Sequence, residues 1–210
     1  PLDGVDCYQL NVFEKSPLAK YVANGKLPAA ADTAQKADMF AKSVEVLTAH
    51  QWHRLSNNHW RQTNRERNIY NELGKSACDC LAFGCGAGGR LKGYGFMMNR
   101  SLADWSAGVD AGLKPVMVMT APGPNWALLR TVSSDMESGA INLPRISERF
   151  GVDVDALTRE VTSQWEEAGL VTRTGDWLVQ TVAGQFWHVT LAQLLVDLIG
   201  KALRKEAMAA

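Results

Sequence analysis

Residues 82–95 read Ala82-Phe83-Gly84-Cys85-Gly86-Ala87-Gly88-Gly89-Arg90-Leu91-Lys92-Gly93-Tyr94-Gly95. Gly84, Gly86 and Gly89 formally satisfy G-x-G-x-x-G. A dinucleotide fold needs that pattern to open a helix whose N-terminus meets a pyrophosphate. Gly93 and Gly95 follow almost at once, and glycine opposes helix, so that reading fails. No Lys-Ser/Thr pair follows either, which removes the P-loop. What remains is a run whose glycines let the backbone take positive φ and come close to a ligand. A tight strand-to-loop turn with no ligand fits the same residues equally well.

Upstream, Val5–Phe13 alternates, with Tyr8, Leu10 and Val12 on one face and Cys7, Gln9 and Asn11 on the other. This period predicts a strand, ended by Pro17. Asp32–Ala49 predicts a helix capped by Asp32 or Thr33. Ser56–Arg67 is polar, rich in asparagine and arginine, and too short and broken to bind nucleic acid. Ile69–Ala77 reads as a short helix, Cys78–Phe83 as a buried strand, and Ser101–Gly112 as a helix with a glycine end.

Ala121-Pro122-Gly123-Pro124 is the strongest punctuation in the chain, and a boundary there divides it into 1–121 and 122–210. Beyond it the pattern predicts helices at Trp126–Met136, Leu143–Phe150 and Val154–Ala168. A hairpin over Leu170–Thr181 turns at Thr174-Gly175-Asp176, and a last amphipathic helix covers Val182–Lys205. Short helices, a hairpin and a helix suggest a winged-helix-like module. Val154–Ala168 carries Asp155, Glu160, Glu166 and Glu167 against Arg159, which is the wrong charge for reading DNA.

The 210 residues carry 22 basic and 22 acidic side chains, so the chain lacks the basic surplus that nucleic-acid binding needs. No apolar run reaches the length of a membrane span, and no basic-then-apolar leader is visible. Cys78, Cys80 and Cys85 crowd together, poor spacing for disulfides, which suggests a reducing cytoplasm. Their spacing lacks the separated pairs of structural zinc and fits small core residues better. The C-x3-C-x2-C spacing that chelates a [4Fe-4S] cluster does not occur. The first residue is Pro1, so the chain is expected to be part of a longer product.

His59 and His188 are candidate heme ligands or proton donors, with packed or surface histidines as the plainer reading. Arg61, Arg65 and Arg67 are candidate partners for propionates, against a solvated loop. Met97, Met98, Met117 and Met119 fit core packing better than a ligand wall. No nucleophile–base–orienter set is legible.

Four segments, in order, carry a family resemblance. Asp3-Gly4-Val5-Asp6-Cys7-Tyr8-Gln9-Leu10 resembles the last barrel strand of HemN-like radical SAM proteins. Ala82–Gly89 resembles that superfamily's Gly-x-Gly-x-x-Ser stretch, with Gly88 or Gly89 in place of serine. Asn64–Asn71 taken with Phe83–Gly89 is closer to the heme-utilisation branch, the HutW/ChuW type. Gly184-Gln185-Phe186-Trp187-His188-Val189-Thr190-Leu191-Ala192-Gln193 resembles the same branch's Gly-x-Phe-Trp-x-Val-x-Leu-x-Gln signature.

The resemblance implies an α+β (α/β) chain: the last strand and helices of a partial radical SAM (β/α) barrel, then a HemN-type, winged-helix-like, mostly helical module. It implies S-adenosylmethionine and a [4Fe-4S] cluster in the full-length parent, with neither held by this chain alone. It implies heme or another porphyrin as substrate and the rest of the barrel as partner. The activity implied is anaerobic opening of the heme ring by radical methyl transfer, with iron release. The alternatives are an oxygen-independent coproporphyrinogen oxidase-like enzyme and a heme-trafficking protein of HemW type. Carried over by position, Gly84, Gly86, Ala87, Gly88, Gly89, Arg90 and Gln9 are the cofactor contacts implied. His59, Arg61, Arg67 and Tyr70 are the substrate contacts.

Overall fold

The computed structural model describes residues 2–75 and 78–209. In chain order the elements are β1 (Gly4–Asp6), α1 (Pro17–Ala23), α2 (Thr33–Ala49), β2 (His53–Arg54), β3 (His59–Arg61) and α3 (Ile69–Lys75). Then come β4 (Gly88–Leu91), β5 (Tyr94–Met98), α4 (Leu102–Asp110), β6 (Val116–Thr120) and α5 (Trp126–Glu137). The last are β7 (Ala140–Asn142), α6 (Leu143–Phe150), α7 (Val154–Glu167), β8 (Val171–Thr174), β9 (Trp177–Gln180), α8 (Val182–Phe186) and α9 (His188–Ala209). The described strands form three-stranded sheets of order β1-β3-β2, β4-β5-β6 and β7-β9-β8.

Contacts divide the chain into two compact units, each discontinuous. One is Pro1–Asn68, Glu137–Ile141 and Glu160–Leu191; the other is Ile69–Met136, Asn142–Arg159 and Ala192–Ala210. The connection at 121–124 lies within the second. The first unit buries Phe40, Trp60, Ile141, Trp165, Val171 and Leu178. The second buries Met98, Leu128, Val132, Met136, Ile146, Leu195 and Ile199.

Where a local signal was strong, the element formed as expected. Asp32 caps α2: its carboxylate accepts from Gln35 N at 2.8 Å while Gln35 Oε1 accepts from Asp32 N at 3.0 Å, a full capping box. Asn142 caps α6 by accepting from Arg145 N at 2.8 Å, and Gly151 ends it with φ +66°. Gly175 and Asp176 turn the β8–β9 hairpin, whose end pair is Thr174–Trp177. The order α5, β7, α6, α7, β8, β9, with sheet order β7-β9-β8, is that of a winged helix.

Four expectations are corrected. The strand expected over Val5–Phe13 stops at Asp6. Cys7 N still donates to Asn58 O at 2.8 Å, but Tyr8–Phe13 belong to no strand, and Tyr8, Leu10 and Phe13 are exposed. The expected buried strand Cys78–Phe83 is a single bridge, Cys80 to Arg90; Cys78 and Cys85 are exposed, not core. Of the methionines expected in the core, Met98 is buried, whereas Met117 and Met119 are exposed. The last helix is interrupted at Trp187, the C-cap of α8. The expected helix at Ile69–Ala77 is seen through Lys75; Ser76 and Ala77 lie outside the described residues.

Candidate functional site

The glycine run is a β-hairpin arm. Gly88–Leu91 pairs antiparallel with Tyr94–Met98, and the two-residue turn between them, Lys92-Gly93, has φ +47° and +82°. Both residues positive is the turn that matches strand twist, which accounts for Gly93. Lys92 is tolerated there because its N–H donates to Asp79 Oδ1 at 2.7 Å.

The other glycines divide by cause. Gly84 and Gly86 have φ +104° and +71°, so backbone conformation requires them. At Gly89 a Cβ would lie 2.5 Å from Phe96 Cζ and 2.7 Å from Cys80 O, so packing requires it. Neither cause applies at Gly88 or Gly95. A Cβ at Gly88 would meet only Phe96 O at 3.9 Å, and one at Gly95 would meet nothing within 4 Å. The register places Gly88, Arg90 and Gly95 on one face of the hairpin. Glycine weakens a strand, and at these two positions it leaves the Cα face open among the described residues. Gly86 N, Ala87 N and Arg90 N already donate, to Asn99 O, Gly84 O and Cys80 O. The Arg90 guanidinium lies 5.6 Å from the Trp126 ring and donates to Gly74 O at 3.4 Å.

Gln9, His59, Arg61 and Arg67 belong to the first unit; the glycine run and Tyr70 belong to the second. His59 is buried on β3, with Nδ1 2.6 Å from Asp6 Oδ1 and Nε2 3.2 Å from Glu66 Oε1. Backbone N–H donation from Asn68, chiefly, together with the nearby His59, holds the Glu66 carboxyl below its ordinary range. Arg61 is half-buried; Arg67 and Tyr70 are exposed. Gln9 lies where two clefts adjoin.

Those clefts, about 580 and 590 Å³, share Tyr8, Gln9 and Lys36. One runs between the 7–12 segment and helices α1 and α2. The other reaches Asn58 and the α8–α9 junction, Phe186 to Thr190. Arg54 braces that junction. Its guanidinium donates to Gln185 Oε1 and, at 2.9 Å, to Asn57 O, and it lies 4.7 Å from the Trp60 ring and 5.5 Å from the Phe40 ring. Burial pushes Arg54 down to about 10, so it remains a cation at neutral pH. Gln185 Nε2 donates in turn to Gln180 O at 3.2 Å. Phe186 sits 5.9 Å from Phe40 and meets Trp187 edge-on at 5.0 Å, so the rings are fixed in place. Arg54 and Lys36 had no signal in the sequence; Gln185, Phe186 and Trp187 had one, the signature at 184–193.

Among the described residues, no group of three or more His, Cys, Asp or Glu is placed to hold a metal ion. The residues present do not fit an iron–sulfur cluster. No described helix is long and apolar enough to cross a membrane.

No family model matches the chain. An anaerobilin synthase from Escherichia coli O157:H7 is 37% identical over 199 residues, covering 94% of this chain and 43% of that protein. The structure of coproporphyrinogen III oxidase (HemN) from Escherichia coli, described as a radical SAM enzyme, superposes with a TM-score of 0.67 at 13% identity. That match covers 94% of this chain and 48% of the oxidase. The chain thus spans about half the length of the relatives it matches. The oxidase contributes the fold; the 37% relative, with the four ordered segments, contributes the branch. The chain belongs to the HemN-like radical SAM family, in its heme-utilisation branch, and corresponds to the C-terminal portion of its members.

Proposed function

We propose that the full-length protein opens the heme ring without oxygen by radical methyl transfer and releases the iron. This chain is its C-terminal part and is inactive by itself. The observation that carries the reading is the 37% identity to an anaerobilin synthase across 94% of the chain. S-adenosylmethionine, when bound, would supply the methyl group, and one electron from a [4Fe-4S] cluster held elsewhere in the full-length protein would be needed to draw a radical from it. The described residues of this chain do not fit that cluster, so the rest of the full-length protein would hold it.

The part of this chain is to bind and orient. The open face of the β4–β5 hairpin is the proposed wall for S-adenosylmethionine, with Gly88 and Gly95 admitting it to the backbone and Arg90 beside them. Gly84, Gly86, Ala87 and Gly89 set the shape of that wall. His59 serves by position: buried between Asp6 and Glu66, it ties β3 to the start of the chain and to the loop after β3.

The test is anaerobic incubation of the reduced full-length protein with S-adenosylmethionine and heme. Loss of the porphyrin absorption together with free ferrous iron and consumed S-adenosylmethionine supports the reading. Stable heme binding with S-adenosylmethionine intact would replace it with a trafficking role.

A further inference from the structure

The two adjoining clefts of the first unit differ in character. The first is walled by apolar side chains, among them Leu10, Val12, Leu18, Val22 and Met39. The second offers amides and hydroxyls at Asn11, Asn58 and Thr190 beside the Phe186–Trp187 pair. Lys36 lines both, and no carboxylate lines either. Each volume lies within the range of about 300–1,000 Å³ usual for small-molecule sites. Trp187 lines the second cleft and Tyr8 lines both, and they remain 42% and 70% exposed. Trp187 is held edge-on against Phe186, so a ligand would meet a ring already in place.

An apolar floor, an aromatic wall, hydrogen-bonding amides and one cation with no acid suit a flat ligand that is apolar in its body and carboxylated at its edge. We propose that this joint cleft binds a carboxylated tetrapyrrole, with Trp187 stacking on the ring system and Lys36 pairing a carboxylate. The identity of the ligand rests on the porphyrin reading above; the position of the site rests on the clefts. A stacked aromatic anchor and a charge-assisted pair are each worth about tenfold in affinity.

The experiment is titration of the full-length protein with hemin and with hemin dimethyl ester, read by tryptophan quenching and by the shift of the hemin absorption. The variants are Trp187→Ala and Lys36→Met, both at the surface of the first unit, with melting curves to confirm folding and Trp187→Phe in reserve. Hemin is expected to bind at one equivalent. Trp187→Ala should raise Kd about tenfold for both ligands, and Lys36→Met about tenfold for hemin alone. Hemin binding that neither variant changes overturns the site and leaves the porphyrin reading standing. No hemin binding also overturns the site; heme turnover by the full-length protein then shows whether the porphyrin reading falls with it.

Discussion

Nδ1 of His59 lies 2.6 Å from Oδ1 of Asp6, a contact that joins residues 53 positions apart. Glu66 approaches the opposite nitrogen at 3.2 Å, so a buried imidazole sits between two carboxylates. Gly4 makes room: a Cβ there would collide with Glu66 Cγ. The Asp-Gly-x-Asp opening of the chain is therefore a structural lock as well as a family mark.

Removing the imidazole should cost more than removing one carboxylate. His59→Leu leaves both acids without their partner and should lower unfolding stability by about 1–3 kcal/mol, measured by urea denaturation at neutral pH. Asp6→Asn, which keeps a hydrogen-bond acceptor, should cost less.

The lock also predicts an acid limb. Glu66 is held below its ordinary value in the folded chain, first by the Asn68 N–H and then by His59. Its contribution is thus present above about pH 4.3, the ordinary glutamate value, and is lost as pH falls through the lowered folded value. Glu66→Gln should flatten the fall of the urea midpoint over that acid window. An unchanged acid limb in the variant would exclude the Glu66 contact as its source.

Two neighbouring glycines should behave differently. Gly89→Ala drives a methyl into Phe96 and the Cys80 carbonyl and should destabilise the chain by about 1–3 kcal/mol. Gly88→Ala has open space and should leave thermal unfolding unchanged or slightly improved. In the full-length protein Gly88→Ala should weaken S-adenosylmethionine, measured by equilibrium dialysis. Equal loss of stability in both variants would refute the division of the glycines by cause.

Arg54 and Gln185 should be energetically coupled although 131 residues separate them. A double-mutant cycle with Arg54→Met and Gln185→Met, read by urea denaturation, should return a coupling of about 1–3 kcal/mol. Strictly additive losses would mean that the pair does not brace the α8–α9 junction.

How much of this was legible depended on where the deciding contacts lie. α2, α6 and the β8–β9 hairpin could be read because Asp32, Asn142, Gly151 and the Gly175-Asp176 turn act within a few residues. β3 could not, because His59-Trp60-Arg61 is too short to show a strand period and gains its pairing from residues 4–6 and 53–54. The 7–13 segment has a strand's alternation, but among the described residues no partner strand extends it beyond Asp6. The break at Trp187 was hidden because the apolar spacing runs on through α9. At the candidate site, the glycines were visible and their separate causes were not, since a neighbour such as Cys80 O cannot be read from a glycine's own position. Lys36 and Arg54 are ordinary basic residues until folding sets them beside Gln9 and Gln185.

The most direct test of the proposed reaction is the fate of the transferred methyl group. The reduced full-length protein is incubated anaerobically with heme and methyl-labelled S-adenosylmethionine, and the tetrapyrrole product is analysed by mass spectrometry. The account predicts the label on a ring-opened, iron-free product. Label absent from the tetrapyrrole, with carbon dioxide released from its propionates instead, would contradict it and identify an oxidative decarboxylase.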